Sequence, residues 1–175
     1  MISQKIHTAI REVTDFPKTG INFKDITTLL LDYRLSNEIV DVFIERLKEM
    51  QIDAIVGMES RGFLFGFLLA NKMGIPFVPI RKAGKLPGKT LKFKYDLEYG
   101  SAEVEVHKSD IKKGWNIVVH DDLLATGGTA CAASELIRKL GANVAAFAFV
   151  ISLDYLKGNE KLEKYSKEII SLKRY

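Results

Sequence analysis

Two adjacent carboxylates precede a loop that has almost no side chains in the stretch HDDLLATGGTA, residues 120–130. Asp121 and Asp122 only accept hydrogen bonds when ionised, so they favour a ligand that offers paired donors, such as two vicinal hydroxyls. Backbone N–H groups of the loop, together with the positive end of a following helix, suit a dianionic phosphate. A phosphate next to a diol describes ribose 5-phosphate. The loop consists of Ala125, Thr126, Gly127, Gly128 and Thr129.

A simpler interpretation of this stretch is a tight turn between a strand and a helix. The glycines would then serve only the backbone, and Asp122 would cap the helix. The four apolar or aromatic residues before His120, together with the acid pair, favour the ligand site over this alternative.

A run of cations lies upstream at RKAGKLPGKTLKFK, residues 81–94. It holds six basic residues and no acid, with two glycines and a proline, which predicts a mobile loop that binds an anion. The alternative is a solvent-exposed run of charges without a ligand. The segment GKLPGKT, 84–90, is close to a Walker A loop, but Ala83 stands where its first glycine is required and an alternating pattern follows. A nucleotide hydrolase or kinase is therefore not expected. The six cations are Arg81, Lys82, Lys85, Lys89, Lys92 and Lys94.

Apolar strands that alternate with helices are predicted to position these residues. Such a rhythm is typical of an α/β fold with a central parallel sheet, whose sites lie at the carboxyl ends of the strands. Alternation on both sides of Gly100 predicts a β-hairpin flap over 91–108. Strands are predicted at 53–57, 76–80, 115–120 and 144–151, and helices at 36–50, 62–74 and 130–142.

Composition narrows the class of protein. The 175 residues form one domain by length, and a net charge of +4 is too mild to indicate nucleic-acid binding. No apolar run approaches 18 residues and the N-terminus lacks a signal-peptide core, so neither a membrane span nor secretion is expected. The single cysteine, Cys131, fits a reducing compartment, and we expect a cytoplasmic protein.

The strand, acid pair and TGGT loop resemble the phosphoribosyl pyrophosphate motif of type I phosphoribosyltransferases. Five segments follow the order and approximate spacing of the adenine phosphoribosyltransferase family, whose members convert adenine and phosphoribosyl pyrophosphate to AMP and pyrophosphate with magnesium. The resemblance implies a hood over residues 1–35 and a flexible loop with a flap over 81–108. The segments are DFPKTGINFKDIT (15–27), ESRGFLFG (59–66), IRKAGKLPG (80–88), LEYG (97–100) and DDLLATGGT (121–129).

The resemblance also implies a role for each site residue. Glu98 would accept the imidazole proton of the base, and Tyr99 would pack over the closed site. A cis peptide is expected at Glu59–Ser60, and Mg²⁺ would be held by pyrophosphate oxygens and water rather than by the protein. Pyrophosphate contacts are expected from Ser60, Arg61, Arg81, Lys82 and Lys85, of which Arg81 and Lys85 reach the neighbouring subunit and so imply a homodimer. Base contacts are expected from Ile21, Asn22, Phe23 and Lys24, where the Phe23 ring stacks and the backbone reads the adenine edge.

Three positions depart from the family pattern. Asn22 and Lys24 replace a common aliphatic residue and a common arginine, and His120 replaces an aliphatic residue before the acid pair. His120 is interpreted as a strand-end residue and Cys131 as small packing. Two alternatives therefore stay open: a phosphoribosyltransferase for another purine, and a non-catalytic regulator that senses phosphoribosyl pyrophosphate.

Overall fold

The computed structural model describes residues 1–96 and 100–175. In chain order the strands are β1 (Arg11–Thr14), β2 (Asn22–Asp25), β3 (Ala54–Met58), β4 (Phe77–Lys82), β5 (Thr90–Asp96), β6 (Ser101–His107), β7 (Asn116–Leu124), β8 (Asn143–Ser152) and β9 (Ile169–Arg174). The α-helices are α1 (Ile2–Ala9), α2 (Tyr33–Leu47), α3 (Gly62–Met73), α4 (Gly128–Lys139) and α5 (Gly158–Leu162), and short 3-10 helices cover Ile26–Leu31 and Asp154–Leu156.

A seven-stranded sheet with the order β5-β6-β4-β3-β7-β8-β9 forms the centre of the molecule. The five strands from β4 to β9 in this order are parallel, and β5 and β6 add an antiparallel hairpin at one edge. One face of the sheet packs on α4, and the other packs on α1, α2 and α3. The predicted α/β class is confirmed. None of the helices in the described ranges is long and apolar enough to cross a membrane.

The predicted flap is present, because β5 and β6 pair from Thr90↔His107 to Asp96↔Ser101. Gly100 has φ of 90°, a conformation that glycine adopts without steric cost. The bounds of one domain over 1–175, with a hood region over 1–35 and a flexible loop and flap over 81–108, stay a prediction.

Helix α2 begins earlier than its apolar stripe predicts. The Asp32 side chain accepts hydrogen bonds from the Arg34 and Leu35 N–H groups at 2.9 and 3.0 Å, so the helix is capped there rather than at Ser36. The predicted stripe of Ile39 and Phe43 is fully buried.

The prediction that β7 ends at residue 120 is wrong. The strand continues to Leu124 because β8 pairs with it as far as Leu124↔Ser152, whereas pairing with β3 stops at Gly57↔His120. Asp121 and Asp122 therefore lie on a strand segment whose β3 side is open. Helix α4 likewise starts at Gly128, inside the predicted loop.

The hood is more regular than its sequence suggests. Its residues gave no prediction of a strand, but β2 pairs with β1 in an antiparallel two-stranded sheet from Arg11↔Asp25 to Thr14↔Asn22. All four residues of β1 are exposed, and β2 has one exposed and three partly buried residues, most of them polar, so neither strand shows the apolar alternation that is typical of a half-buried strand.

Candidate active site

The carboxyl ends of β3, β4 and β7 surround a cavity of about 400 Å³. Because β3 and β7 are adjacent and parallel, the loop after β3 and the acid pair on β7 meet at the same edge of the sheet. The cavity therefore gathers the acid pair of β7, a carboxylate and a cation from the loop after β3, and two cations from the end of β4 and the loop after it. Its lining residues are Glu59, Ser60, Arg61, Lys82, Lys85, Asp121 and Asp122.

A smaller cavity of about 70 Å³ lies between the loop 125–129 and the end of β7. The first backbone bond of α4 runs from the Cys131 N–H to the Gly127 carbonyl at 2.9 Å, so the N–H groups before it form the open end of the helix. Those donors and the helix dipole favour an anion of phosphate size. The predicted phosphate loop thus lines a cavity, and phosphate binding there stays a prediction.

Helix α5 supports this loop by direct backbone contact. A Cβ atom on Gly127, whose φ is 78°, would lie 2.9 Å from the Gly158 carbonyl oxygen, and one on Gly158 would overlap the Ala125 carbonyl oxygen. Neither position tolerates a side chain without moving the main chain. Sequence reasoning missed Gly158, because a single glycine far along the chain carries no signal of its partner.

The environment of the acid pair disfavours the ionised form of Asp121. Burial, and next the charge of Asp122, raise the pKa of Asp121 well above its ordinary value. The Asp122 N–H donates to Asp121 Oδ1 at 2.9 Å. Gly62 permits this crowding, since a Cβ atom there would lie 2.8 Å from Asp121 Oδ1.

Asp122 carries a buried oxygen that lacks an aligned donor. Its side chain is 4% exposed, and Arg61 Nε lies 3.0 Å from Oδ2. The N–H of that nitrogen does not point at Oδ2, which consequently has an ionic neighbour but no hydrogen bond. A buried acceptor in this state is ready for a donor such as a ligand hydroxyl.

Arg61 connects the acid pair to the hood. Its guanidinium lies 5.7 Å from the centre of the Phe23 ring, within cation–π distance, while its Nε contacts Asp122. We predicted that Arg61 binds pyrophosphate. In the structure Arg61 lines the cavity but is directed at the carboxylate and the aromatic ring, so a pyrophosphate contact stays a prediction.

The start of the basic loop is anchored by Glu59. Its carboxylate accepts hydrogen bonds from Arg81 Nη2 and from the Lys82 N–H, both at 2.8 Å. These bonds lower the pKa of Glu59, and the bond from Arg81 has the larger effect. The Arg81 Nη1 group also donates to the Lys85 carbonyl at 3.1 Å. Arg81 is therefore occupied within its own chain, whereas Lys82 and Lys85 line the cavity. A reach of Arg81 and Lys85 into a neighbouring subunit stays a prediction.

Glu105 of β6 anchors the rest of that loop and was not predicted from sequence. Its Oε1 accepts from the Lys85 and Leu86 N–H groups at 2.8 and 2.9 Å, and its Oε2 accepts from Thr90 Oγ1 at 3.0 Å. Burial alone would raise the pKa of Glu105, but these hydrogen bonds outweigh it and the pKa is lowered. The expected mobility of the loop stays a prediction.

The side chains of the hood strand β2 point to opposite faces. Phe23 packs edge-on against Phe16 with ring centres 5.2 Å apart, on the side that Arg61 approaches. Asn22 and Lys24 both bind Glu12 of β1, through Asn22 Nδ2 at 2.9 Å and through Lys24 Nζ. Ile21, the fourth predicted base contact, is 44% exposed.

His120 is a fully buried neutral ring rather than a strand-end residue. Burial lowers its pKa to about 4, and a backbone group of Ala148 opposes this shift only in part. The ring packs edge-on against Phe43 at 5.6 Å, and Gly66 makes room for it, because a Cβ atom there would lie 3.1 Å from the ring. Neither ring nitrogen has a hydrogen bond of acceptable geometry.

Two further residues complete the surroundings of the phosphate loop. Tyr95 of the flap lies with its hydroxyl 3.4 Å from Thr129 Oγ1, a contact that sequence reasoning missed. Cys131 is half-buried with Sγ 3.7 Å from the Lys161 carbonyl, and burial raises the pKa of its thiol, as suits a packing role.

The cis peptide expected at Glu59–Ser60 is present. The predicted catalytic residues Glu98 and Tyr99 lie outside the described residues.

Comparison with known proteins gives the same family throughout. A phosphoribosyl transferase domain matches residues 29–174. An adenine phosphoribosyltransferase of Clostridium botulinum (strain Loch Maree / Type A3) is 53% identical over 166 residues, which is 95% of both chains. The crystal structure of adenine phosphoribosyltransferase from Thermoanaerobacter pseudethanolicus matches with a TM-score of 0.95 and 44% identity over 100% of both chains. The Saccharomyces cerevisiae enzyme, solved with adenine and an imino-altritol bisphosphate, matches with a TM-score of 0.91 and 43% identity over 98% of both chains.

Proposed function

The chain belongs to the phosphoribosyl transferase family, within it to the adenine phosphoribosyltransferases, and from this we infer that it transfers ribose 5-phosphate from phosphoribosyl pyrophosphate to adenine. The products are AMP and pyrophosphate, which makes the reaction a step of purine salvage. The observation that carries the assignment is the buried Asp122 Oδ2, which lacks an aligned donor and belongs to a residue that lines the cation-lined cavity. Its neighbour Asp121 lines both that cavity and the phosphate-sized one.

The lining of the two cavities supports one proposed orientation of ribose 5-phosphate. The 5-phosphate would enter the cavity of about 70 Å³, where the loop 125–129 and the end of α4 supply N–H donors. The two ring hydroxyls would then donate to Asp121 and Asp122, so the diol separates the carboxylates from the phosphate. Pyrophosphate would occupy the larger cavity beside Lys82 and Lys85.

The reaction is a substitution at the anomeric carbon of the ribose. The bond from that carbon to a pyrophosphate oxygen breaks with its electron pair, and a bond to the imidazole nitrogen of adenine forms. The ribose becomes positively charged as pyrophosphate departs, and the nearby carboxylate of Asp122 stabilises that charge. The proton of the attacking nitrogen leaves to Glu98, the proposed general base.

The hood would hold adenine by stacking and by backbone hydrogen bonds. Phe23 offers a ring face toward the site that already attracts the Arg61 guanidinium, which supports its use as a stacking surface. The backbone of residues 21–24 would offer a donor and an acceptor to adenine N1 and its amino group. Hypoxanthine and guanine present the opposite polarity at both atoms, so buried groups would stay unpaired.

Magnesium would bind chiefly through the pyrophosphate oxygens and water. Lys82 and Lys85 line the cavity proposed for pyrophosphate and cannot ligate a cation, so the oxygen ligands that Mg²⁺ prefers would come mainly from pyrophosphate and water. When bound, the ion would neutralise the charge that develops on the leaving pyrophosphate. Arg61, Lys82 and Lys85 would supply the remaining positive charge from the protein.

We also propose a homodimer that works in the cytoplasm. Helix α3 presents large apolar side chains to solvent, with Leu64 41%, Phe67 56% and Leu68 44% exposed. A contiguous apolar helix face of this kind is typical of a protein interface. A second copy covering it would complete the site if Arg81 or Lys85 reaches across. The single cysteine agrees with a reducing compartment.

The test is an assay of the purified protein with phosphoribosyl pyrophosphate, Mg²⁺ and one base at a time. We expect AMP from adenine, with kcat/KM about 10⁴-fold above the values for hypoxanthine and guanine. An oxopurine within about tenfold of adenine would show that the site serves another purine. Tight binding of phosphoribosyl pyrophosphate with no product from any base would indicate a regulator instead.

A further inference from the structure

One carboxylate on the hood binds both of the hood residues that depart from the family pattern. In the β1–β2 ladder Glu12 lies opposite Lys24, and Thr14 lies opposite Asn22. Glu12 Oε2 accepts from Asn22 Nδ2 at 2.9 Å, and Glu12 Oε1 accepts from Lys24 Nζ. The two unusual side chains are therefore drawn to the same point on β1, one strand away from the backbone that would read the base.

This cluster continues into the body of the molecule. The Lys24 side chain is only 11% exposed, and its Nζ lies 4.5 Å from the centre of the Tyr175 ring. The Tyr175 hydroxyl is 3.3 Å from His7 Nδ1, and the Tyr175 N–H donates to the Ser152 carbonyl at the end of β8 at 2.9 Å. Lys24 is thus enclosed between a carboxylate and a ring that is fixed to the main sheet.

Without its hydrogen bond to Glu12, the Asn22 amide would lower the selectivity for adenine over a 6-oxo purine. An amide is both donor and acceptor. A free Asn22 could donate to the 6-oxygen of hypoxanthine and accept from its N1–H, which would supply the polarity that the backbone lacks. With Nδ2 bound to Glu12, one of the two amide N–H donors is occupied and the amide plane is held on β1.

We propose that Glu12 is a specificity-determining positioning residue, which holds the Asn22 and Lys24 side chains on β1 so that the backbone of β2 alone reads the purine. The inference rests on the proposed function, since it concerns the base site of that reaction. Glu12 touches neither the base nor the sugar, and acts through Asn22 and Lys24.

An ordinary surface ion pair is the competing explanation. The Glu12 side chain is 40% exposed, and exposed ion pairs contribute little to stability. An ion pair of that kind does not account for the second bond, which comes from the neutral Asn22 amide. The two explanations differ in base selectivity, which a surface ion pair would leave unchanged.

The test compares kcat/KM for adenine and hypoxanthine at saturating phosphoribosyl pyrophosphate in Glu12→Ala, Asn22→Val and the double variant. Glu12→Gln keeps one acceptor for Asn22 and should lie between wild type and Glu12→Ala. Glu38→Gln is the matched control, because it removes the same charge from the exposed ion pair with Lys5, whose atoms are 2.7 Å apart. Thermal unfolding and the KM for phosphoribosyl pyrophosphate are measured for every variant.

In Glu12→Ala the hypoxanthine-to-adenine ratio of kcat/KM should rise about tenfold, the effect of one gained hydrogen bond, with an unchanged KM for phosphoribosyl pyrophosphate. Asn22→Val alone should keep the wild-type ratio. The double variant should also show the wild-type ratio, because it lacks the amide that Glu12→Ala releases. An unchanged ratio in Glu12→Ala, or a raised ratio that persists in the double variant, overturns the proposal. Adenine turnover by the wild type is scored separately and decides the proposed function.

Discussion

The substitution Asp122→Asn tests the assignment of the ribose site most directly. The Asp122 side chain is 4% exposed, so a ribose hydroxyl that binds Oδ2 forms a charge-assisted hydrogen bond with little screening by water. Such bonds contribute about 1.5–3 kcal/mol, which corresponds to about a 10- to 150-fold change in an equilibrium constant. Asparagine keeps the shape but removes the charge, and can turn its NH₂ group toward the hydroxyl.

We therefore expect Kd for phosphoribosyl pyrophosphate to rise within that range and kcat/KM to fall at least as much. Calorimetry with Mg²⁺ present measures the first, and the rate of AMP formation measures the second. Asp41→Asn is the control, since Asp41 loses the same charge in an exposed ion pair with Lys72. Values for Asp122→Asn that stay within about twofold of wild type in both assays would refute the ribose assignment.

Three other changes give separate expectations. Burial, as the largest cause, raises the pKa of Asp121, so the folded state favours the protonated carboxyl. The stability that this protonated form contributes is complete below the pKa of the unfolded chain and is lost as pH rises through the raised pKa of the folded state. Asp121→Asn should remove this loss and raise Tm of the ligand-free protein at neutral pH by at least about 2 °C, while turnover falls; an unchanged Tm contradicts the argument. Glu98→Gln should lower kcat by about 10²–10⁴-fold with Kd for phosphoribosyl pyrophosphate nearly intact, whereas a wild-type kcat would leave Glu98 without a role. Gly158→Ala should weaken phosphoribosyl pyrophosphate binding because its Cβ meets the Ala125 carbonyl, and equal binding would mean that the loop can move aside.

The sequence predicted the parts of the site that follow one another along the chain. The apolar run before Asp121 and the alternation around Gly100 are local patterns that predicted a strand and a hairpin, and the small residues after the acid pair predict a phosphate loop. The end of β7 was misplaced because strand length depends on the partner strand, which continues to Ser152.

Contacts between distant segments could not be predicted in the same way. Glu105 binds the loop 85–90 and Glu12 binds β2, yet each is one acid among 22 acidic residues and nothing in its immediate neighbours marks it. The hood strands were missed because both faces of a two-stranded sheet on the surface can be polar. His120 was misjudged because its burial depends on Gly66, which lies on another element.

The contact between Gly127 and Gly158 limits how the phosphate site can be redesigned. The two residues meet backbone to backbone, so this wall of the pocket has no side chain that a library of variants could exchange. Directed evolution toward a sugar with a different anionic group would have to work through the side chains that line the cavity, such as those of Thr126 and Thr129, or rebuild the path of the main chain itself. A side chain at Gly127 would collide with the Gly158 carbonyl, and one at Gly158 would collide with the Ala125 carbonyl, so neither glycine can be exchanged unless the main chain moves.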